Sequence, residues 1–376
     1  MIPLFRMHIT EWDTKNVARV IERQEYWAVG EEISEFEGMI ADFIGTKYAV
    51  CFNSGTSALH AILLAYNIGK GDEVIVPSFT FQATANMVEA VGAKPVFADI
   101  ETETFGLSAE SVDKLITSKT RAIMPIHYAG AVCRHIEIIK KIAKDNSLLL
   151  LEDAAQSFGA ALNSKKAGTF GDAAMFSFCQ DKIISSGGEG GVVVTDDEDI
   201  YQKLLLLRSH GRADDKNYFK SSQLFDYITL GYNWRMPTIC AALGIAQLNN
   251  IHKKIQRRQE IASYYINKLI HLNEDIILPV LPASFYHVYQ KFTIRVLNKK
   301  RDMLQKHLAD NNIFTKAYFG KPVHKTAYYQ NKYVFDEKTL QNTNQIAEQV
   351  LSLPMSAAHE EWEIKEVVDK ICEFYQ

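Results

Sequence analysis

No apolar run among the 376 residues approaches the ~20 that a membrane-spanning helix needs; the greasiest stretch, residues 148–151, runs straight into Glu152 and Asp153. Residues 1–13 lack the basic and apolar blocks of an export signal, so a cytoplasmic location with no membrane partner is expected. Neither sign of charge dominates: 41 basic residues face 45 acidic ones, a net charge of −4, which leaves no footprint for gripping a nucleic-acid backbone. Cysteine is scarce. The five, at positions 51, 133, 179, 240 and 372, are odd in number and form no C-x-x-C, so five separate thiols and no bound metal are expected. Two nucleotide signatures are missing as well: no G-x-G-x-x-G follows a candidate strand, and Lys182 precedes its glycines where a G-x-x-x-x-G-K-[ST] loop would have the lysine after them.

What is present reads as an ordinary globular protein. The hydrophobic and charged fractions, 47% and 23%, suit a chain large enough for one big domain and a smaller companion. Up to about residue 196, short apolar runs alternate with helical patterns, the mark of a layered α/β domain around a mostly parallel sheet. Seven strands are expected, at 47–52, 73–77, 95–100, 121–127, 147–151, 173–178 and 191–195. Crossover helices are expected at 54–67, 79–91 and 133–145, the first capped by Ser54 or Thr56. The last two strands are joined by residues 179–190 alone, too short a connection for a crossover helix. Beyond Asp196 a mostly helical stretch covers 201–207 and 237–269, and the KKIQRR run at 253–258 reads as a solvated helix face. Alternation at Phe292, Ile294 and Val296 predicts a strand. A helix at 301–309, a strand at 313–318 and a closing amphipathic helix at 362–374 follow. The expected division is a large domain over 1–249 and a small α+β domain over 250–376.

Three segments could carry chemistry. Asn53-Ser54-Gly55-Thr56-Ser57 lies where the first strand turns into its helix, a place whose free N–H groups favour an anion, although by itself it reads as a plain N-cap. The strand ending in Glu152-Asp153 delivers an acid at the sheet's carboxyl edge, where open α/β sheets hold ligands; Asp153 alone could equally be a helix cap. Lys182 leaves a buried strand for the glycine-rich turn Gly187–Gly191, where a dry setting would make it a carbonyl-directed nucleophile, though alone it could be a surface lysine in a hairpin. In this order the three supply a phosphate cup, an acid for a ring nitrogen and a Schiff-base lysine, the set that pyridoxal 5'-phosphate needs.

The same segments, with GDEVIVPSFTFQATAN, GAKPVFADIETET, LEDAAQSFGA, GDAAMFSF, KIISSGGEGG, GYNWRM and a late LPMS, resemble the DegT/DnrJ family of PLP-dependent nucleotide-sugar aminotransferases over nearly the whole chain. That resemblance implies the type I aminotransferase fold. It implies that Lys182 forms the Schiff base, Asp153 meets the pyridine nitrogen and Gln156 lies near the ring's 3'-oxygen. Gly55, Thr56, Ser57 and Ser177 would bind the phosphate, Phe81 would cover the cofactor face, and Asn233 would reach in from the neighbouring subunit of a homodimer with shared sites. For Phe81, core packing is an open alternative. Arg235, Tyr318 and His324 correspond to segments near the sugar, with His324 readable also as a surface residue. Many relatives have His where Cys179 stands, so a contact made by that histidine is not carried over.

The implied reaction moves an amino group, with glutamate as donor, to a nucleotide-linked keto sugar for glycan, lipopolysaccharide or O-antigen biosynthesis. The freed Lys182 amine would move the proton while Asp153 keeps the ring nitrogen charged. The GEGG form of the glycine turn resembles members that aminate a 4-keto-6-deoxy hexose, whereas GDGG is commoner among 3-keto aminotransferases. Two rivals keep the fold: a deoxysugar dehydratase, in which a histidine would replace Lys182, and a non-catalytic regulatory paralogue, which would have lost some of Asp153, Gln156, Ser177 and Lys182. An ordinary amino-acid aminotransferase would not usually carry the EDAAQ and GEGG pair.

Overall fold

The structure, a computed structural model, describes residues 1–213, 222 and 224–376. Seven strands form the central sheet: β1 (Tyr48–Phe52), β2 (Glu73–Pro77), β3 (Lys94–Ala98), β4 (Thr120–Ile123), β5 (Leu149–Asp153), β6 (Ala173–Ser177) and β7 (Gly191–Thr195). Their order across the sheet is β1-β7-β6-β5-β4-β2-β3. All seven expected strands are therefore present. Strand β7 alone runs against its neighbours, pairing antiparallel with β1 and β6 while the remaining pairs are parallel. The short 179–190 connection explains it, because a chain that returns without a crossover must come back antiparallel.

Successive side chains on each strand feed opposite layers. On β1, Ala49 and Cys51 join one core cluster while Val50 and Phe52 join another; on β5, Leu150 faces the first and Leu151 the second. The first layer contains the helices Glu31–Ile44 and Ile136–Asp145, the second Gly55–Ala65 and Gln82–Ala90. With both faces covered, the strands read as continuous apolar runs, which is why the sequence exposes them so clearly.

The helix Glu11–Arg23 escaped the pattern because the face it buries is mostly polar: it buries Asp13, Asn16 and Val20, and Asp13 accepts a hydrogen bond from Gln247 at 2.7 Å. Towards the C-terminus, Ile276–Ile277, Phe292–Val296 and Val350–Leu353 make a three-stranded antiparallel sheet, packed by the helices Ile251–Leu269, Arg301–Asp310 and Glu361–Tyr375. Two expectations fail here. Residues 313–318 are not a strand: they make only single bridges, Ile313 to Ile2 and Lys316 to Ser352, and the sheet position is taken by Val350–Leu353. Nor is 253–258 a solvated face, since Lys254 and Arg258 are buried, with the Arg258 guanidinium donating to the carbonyls of Tyr289, Gln290 and Met355. A basic run thus hides two buried hydrogen-bond donors, which apolar periodicity cannot register. All five cysteines are free, and no helix among the described residues is long and apolar enough to cross a membrane.

Candidate active site

The carboxyl ends of β1, β5 and β6 open into a cavity of about 660 Å³ that Gly55, Thr56, Phe81, Thr84, Asp153, Gln156, Ser177, Lys182, Lys291 and Tyr318 help to line. At one end stands the helix Gly55–Ala65. Its cap is Ser54, whose hydroxyl accepts from the Ser57 N–H at 3.1 Å, leaving the N–H groups of Gly55 and Thr56 without intrahelical acceptors. Two glycines permit this approach. A Cβ on Gly191 would come within 2.6 Å of the Gly55 nitrogen, and one on Gly55 would press on Ser177 at 3.1 Å. The Ser177 hydroxyl thus sits beside the helix N-terminus. Ser57 is turned away: its hydroxyl donates to Asn53 Oδ1 at 2.6 Å and serves the cap.

Asp153 ends β5. Oδ2 accepts from Thr84 Oγ1 at 2.7 Å and Oδ1 from the Ala155 N–H at 3.2 Å, closing a turn; no helix begins there, so it is not a helix cap. Burial raises its pKa above the ordinary carboxylate value, against the opposing pull of those hydrogen bonds. No lysine or arginine among the described residues pairs directly with it. A buried carboxylate of this kind suits a cationic partner delivered by a ligand. Gln156 uses Oε1 to accept from the Ala129 N–H at 2.9 Å, which leaves its NH2 as the free end. Phe81 is 62% exposed, so its ring is not core but a bare aromatic face at the cavity.

The Lys182 ammonium lies 2.5 Å from Asp181 Oδ1, and Asp181 Oδ2 lies 3.0 Å from Lys291 Nζ. Burial works against the Asp181 carboxylate, but Lys291 and Lys182 together hold its pKa well below the ordinary value. Lys291 also sits 3.9 Å above the Tyr318 ring. Sequence reading missed Asp181, Lys291 and Thr84. Asp181 lies in the 179–190 connection next to Lys182, but its second partner, Lys291, is 110 residues away, beyond the reach of any local pattern.

Three sequence candidates lie apart from this cavity. Asn233 is exposed on a segment bridged to Ser209. Arg235 donates to Ser209 Oγ at 3.1 Å and lines a separate cavity with Gly30, Glu37 and Arg208. His324 is not at the surface: it is buried, with Nδ1 2.6 Å from Ser78 Oγ.

A flat, phosphorylated pyridinium fits these groups: free N–H groups and a hydroxyl for the anion, a buried carboxylate for the ring nitrogen, and an amine and an aromatic face lining the same cavity.

Comparison with known proteins agrees. The model of the DegT/DnrJ/EryC1/StrS aminotransferase family matches residues 8–372. The GDP-perosamine synthase of Caulobacter vibrioides is 40% identical over 300 residues, 79% of this chain and 78% of its own. The dTDP-3-amino-3,6-dideoxy-alpha-D-galactopyranose transaminase of Aneurinibacillus thermoaerophilus is 35% identical over 353 residues, 94% and 92% of the two chains. Among solved structures, S. venezuelae DesV in complex with a ketimine intermediate superposes with a TM-score of 0.91 at 32% identity, covering 100% of this chain and 98% of that one.

Proposed function

The chain belongs to the DegT/DnrJ/EryC1/StrS aminotransferase family, and from that premise we propose that it transfers an amino group from glutamate to the keto carbon of a nucleotide-linked 4-keto-6-deoxy hexose. It is a PLP-dependent aminotransferase of nucleotide sugars. The observation that carries the residue assignment is the meeting of Lys182, Asp153, Gln156, Ser177 and the Gly55–Thr56 helix start in one cavity at the sheet's carboxyl edge.

When bound, the cofactor supplies an electron sink for a carbanion beside nitrogen. Each residue then has a part. The N–H groups of Gly55 and Thr56 and the hydroxyl of Ser177 hold the phosphate, while Ser57 keeps their helix capped. Asp153 keeps a proton on the ring nitrogen, and Thr84 keeps Asp153 aimed. The Gln156 NH2 donates to the ring's 3'-oxygen, and Phe81 covers one face and excludes water. The Lys182 amine removes the proton from the donor's carbon and returns it elsewhere along the same path. Tyr318 borders the space left for the sugar.

Asn233 and Arg235, exposed or turned to another cavity in their own chain, belong in this reading to the neighbouring subunit's site in a homodimer. Mixing Asn233→Ala with Lys182→Ala chains and finding no recovered activity despite subunit exchange would exclude that arrangement.

The 4-keto assignment is supported by the resemblance of the GEGG turn, whose Glu189 borders the cavity. Transfer to a 3-keto carbon is the second reading, favoured by the relative named as a 3-amino-3,6-dideoxy sugar transaminase. A panel of GDP-, dTDP- and UDP-linked 3-keto and 4-keto sugars, each incubated with glutamate and the PLP-loaded protein, decides between them. Amino-sugar formation from a 4-keto-6-deoxy member alone is the expected result, and Lys182→Ala is the blank. Product from 3-keto members only would replace the first reading with the second. Borohydride trapping of the cofactor on a lysine other than 182 would remove the catalytic assignment.

A further inference from the structure

Asp181 is the residue before Lys182, and its carboxylate is shared. Oδ1 meets the Lys182 ammonium at 2.5 Å, Oδ2 meets Lys291 at 3.0 Å, and the side chains of Lys182, Asp181 and Lys291 are 15%, 15% and 8% exposed. The geometry is fixed from behind. Gln290 Nε2 donates to the Asp181 carbonyl at 2.6 Å, the Lys291 N–H donates to Ala129, and Arg258 holds the carbonyls of Tyr289 and Gln290. Lys291 is thus seated just ahead of the strand Phe292–Val296, while Asp181 rides on the loop that carries Lys182 itself.

A buried carboxylate against an ammonium favours the charged amine, and that opposes both roles of Lys182, which needs an unprotonated nitrogen to attack a carbonyl or to accept a proton. A second cation on the far oxygen weakens that hold without breaking the contact. We propose that Asp181 and Lys291 are positioning residues for Lys182: Asp181 docks the free lysine amine at the cavity wall, and Lys291 offsets the carboxylate so that the docked amine still gives up its proton. The idea rests on Lys182 being the reactive lysine.

The other charged or titratable groups facing this cluster are Arg258 from the helix behind it, Asp153 at the end of β5, Cys179 and Glu189 in the same loop, and Tyr318 with Lys316 beyond Lys291. None of these replaces Lys291 on Asp181 Oδ2. Burial brings the Lys291 ammonium itself down to about 8, even with Asp181 pulling the other way, so the offsetting charge is in place below that pH.

The test reads Lys182 directly. The full-length chain freed of cofactor is acylated with acetic anhydride across a pH series kept below the value at which Lys291 loses its charge, and modification of the Lys182 peptide is followed by mass spectrometry. Relative to wild type at the same pH, Asp181→Asn should raise the acylation rate of Lys182 by about tenfold, and Lys291→Met should lower it by about tenfold. Lys291→Arg, which keeps the charge, should leave it in place. A double Asp181→Asn, Lys291→Met chain should return to or above the wild-type rate.

Rate changes of the same sign in both single variants, no change in either, or a double variant that stays at the Lys291→Met value would overturn the proposal. If Asp181→Asn does not fold, as its melting curve will show, the Lys291→Met and Lys291→Arg pair decides alone: a fall in rate with Met and none with Arg supports the idea, and any other pattern ends it. Because the readout needs no cofactor, it is independent of the borohydride test, and failure of one is distinguishable from failure of the other.

Discussion

Glu152 and Asp153 are neighbours on one strand, both are buried carboxylates, and the alternation of β5 turns them to opposite faces of the sheet, where they do opposite work. Glu152 faces the layer that contains Phe158 and Phe170. It accepts from the N–H groups of Phe170 and Gly171 at 2.7 Å, from Gly168 at 2.8 Å and from His127 Nε2 at 2.7 Å. His127 Nδ1 already accepts from the Cys133 N–H, so Nε2 must carry the proton it donates. Burial alone would raise the Glu152 pKa, but His127 and the loop N–H groups outweigh it and hold it below the ordinary value. Asp153, on the cavity side, has two donors and its pKa is raised. The difference teaches that burial by itself does not mark a functional acid. A carboxylate whose acceptor sites are filled by the protein is a structural knot, and one left short of partners is open to a ligand.

The sharpest way to break the comparison is Asp153→Asn. The amide can still accept from the Ala155 N–H, so the turn should survive and the phosphate cup should still hold the cofactor. It cannot keep a proton on the ring nitrogen, so kcat should fall by roughly 10²–10³ with little change in KM. Steady-state kinetics on the PLP-loaded variant checks it, and near-normal turnover would place Asp153 with Glu152 among the structural acids.

How much of this was readable beforehand follows the range of each interaction. The seven strands were legible because double-sided burial writes itself as apolar runs, and Asp153 and Lys182 were legible because one ends such a run and the other follows one, whereas the parts of Gln156 and Ser177 were implied by the family resemblance alone. Thr84 and Lys291 were not legible, since their partners Asp153 and Asp181 lie 69 and 110 residues away and neither follows an apolar period. The Ile313–Tyr318 misreading has the same origin. Its alternation is real, but long-range pairing gave the sheet position to Val350–Leu353 and left Phe314 exposed. The basic run at 253–258 misled in the other direction, because charge suggested water where Arg258 instead finds three carbonyls.

A smaller effect, on stability, is expected from Glu152→Gln. The amide offers one acceptor oxygen to four donors and points its NH2 at the rest, so the folded state should lose roughly 2–4 kcal/mol, read by denaturant unfolding. The pH dependence separates the two acids. The folded pKa of Glu152 lies below its ordinary value of 4.5, so its contribution is complete above that pH and is lost as pH falls through the lower folded value. The stability gap between wild type and Glu152→Gln should therefore close on acidification. For Asp153 the folded pKa lies above 3.8, so the charged form costs stability at neutral pH and acid relieves it. In the cofactor-free chain, Asp153→Asn should be the more stable protein at neutral pH, with the advantage fading towards pH 3.8. A wild type that at neutral pH is more stable than both variants, or less stable than both, would erase the distinction drawn between the two carboxylates.

The smallest change probes how the cavity-side acid is held. Thr84 Oγ1 donates to Asp153 Oδ2 at 2.7 Å and lies 2.8 Å from Thr80 Oγ1, so the threonine hydroxyl is buried and committed to one direction. Thr84→Val keeps the shape and the helix start at Gln82 but removes that donor, at a cost of about 1.5–3 kcal/mol for a hydrogen bond to a charged group. Part of that cost should appear as a further rise in the Asp153 pKa, since the carboxylate loses a donor that favours its charged form. The acid limb of the kcat profile should accordingly move to higher pH, with a modest fall in kcat at its plateau. Thr84→Ser, which retains the hydroxyl, should restore the profile. A Val variant with lower stability but an unmoved acid limb would mean that Thr84 packs the helix against the sheet and has no part in aiming Asp153.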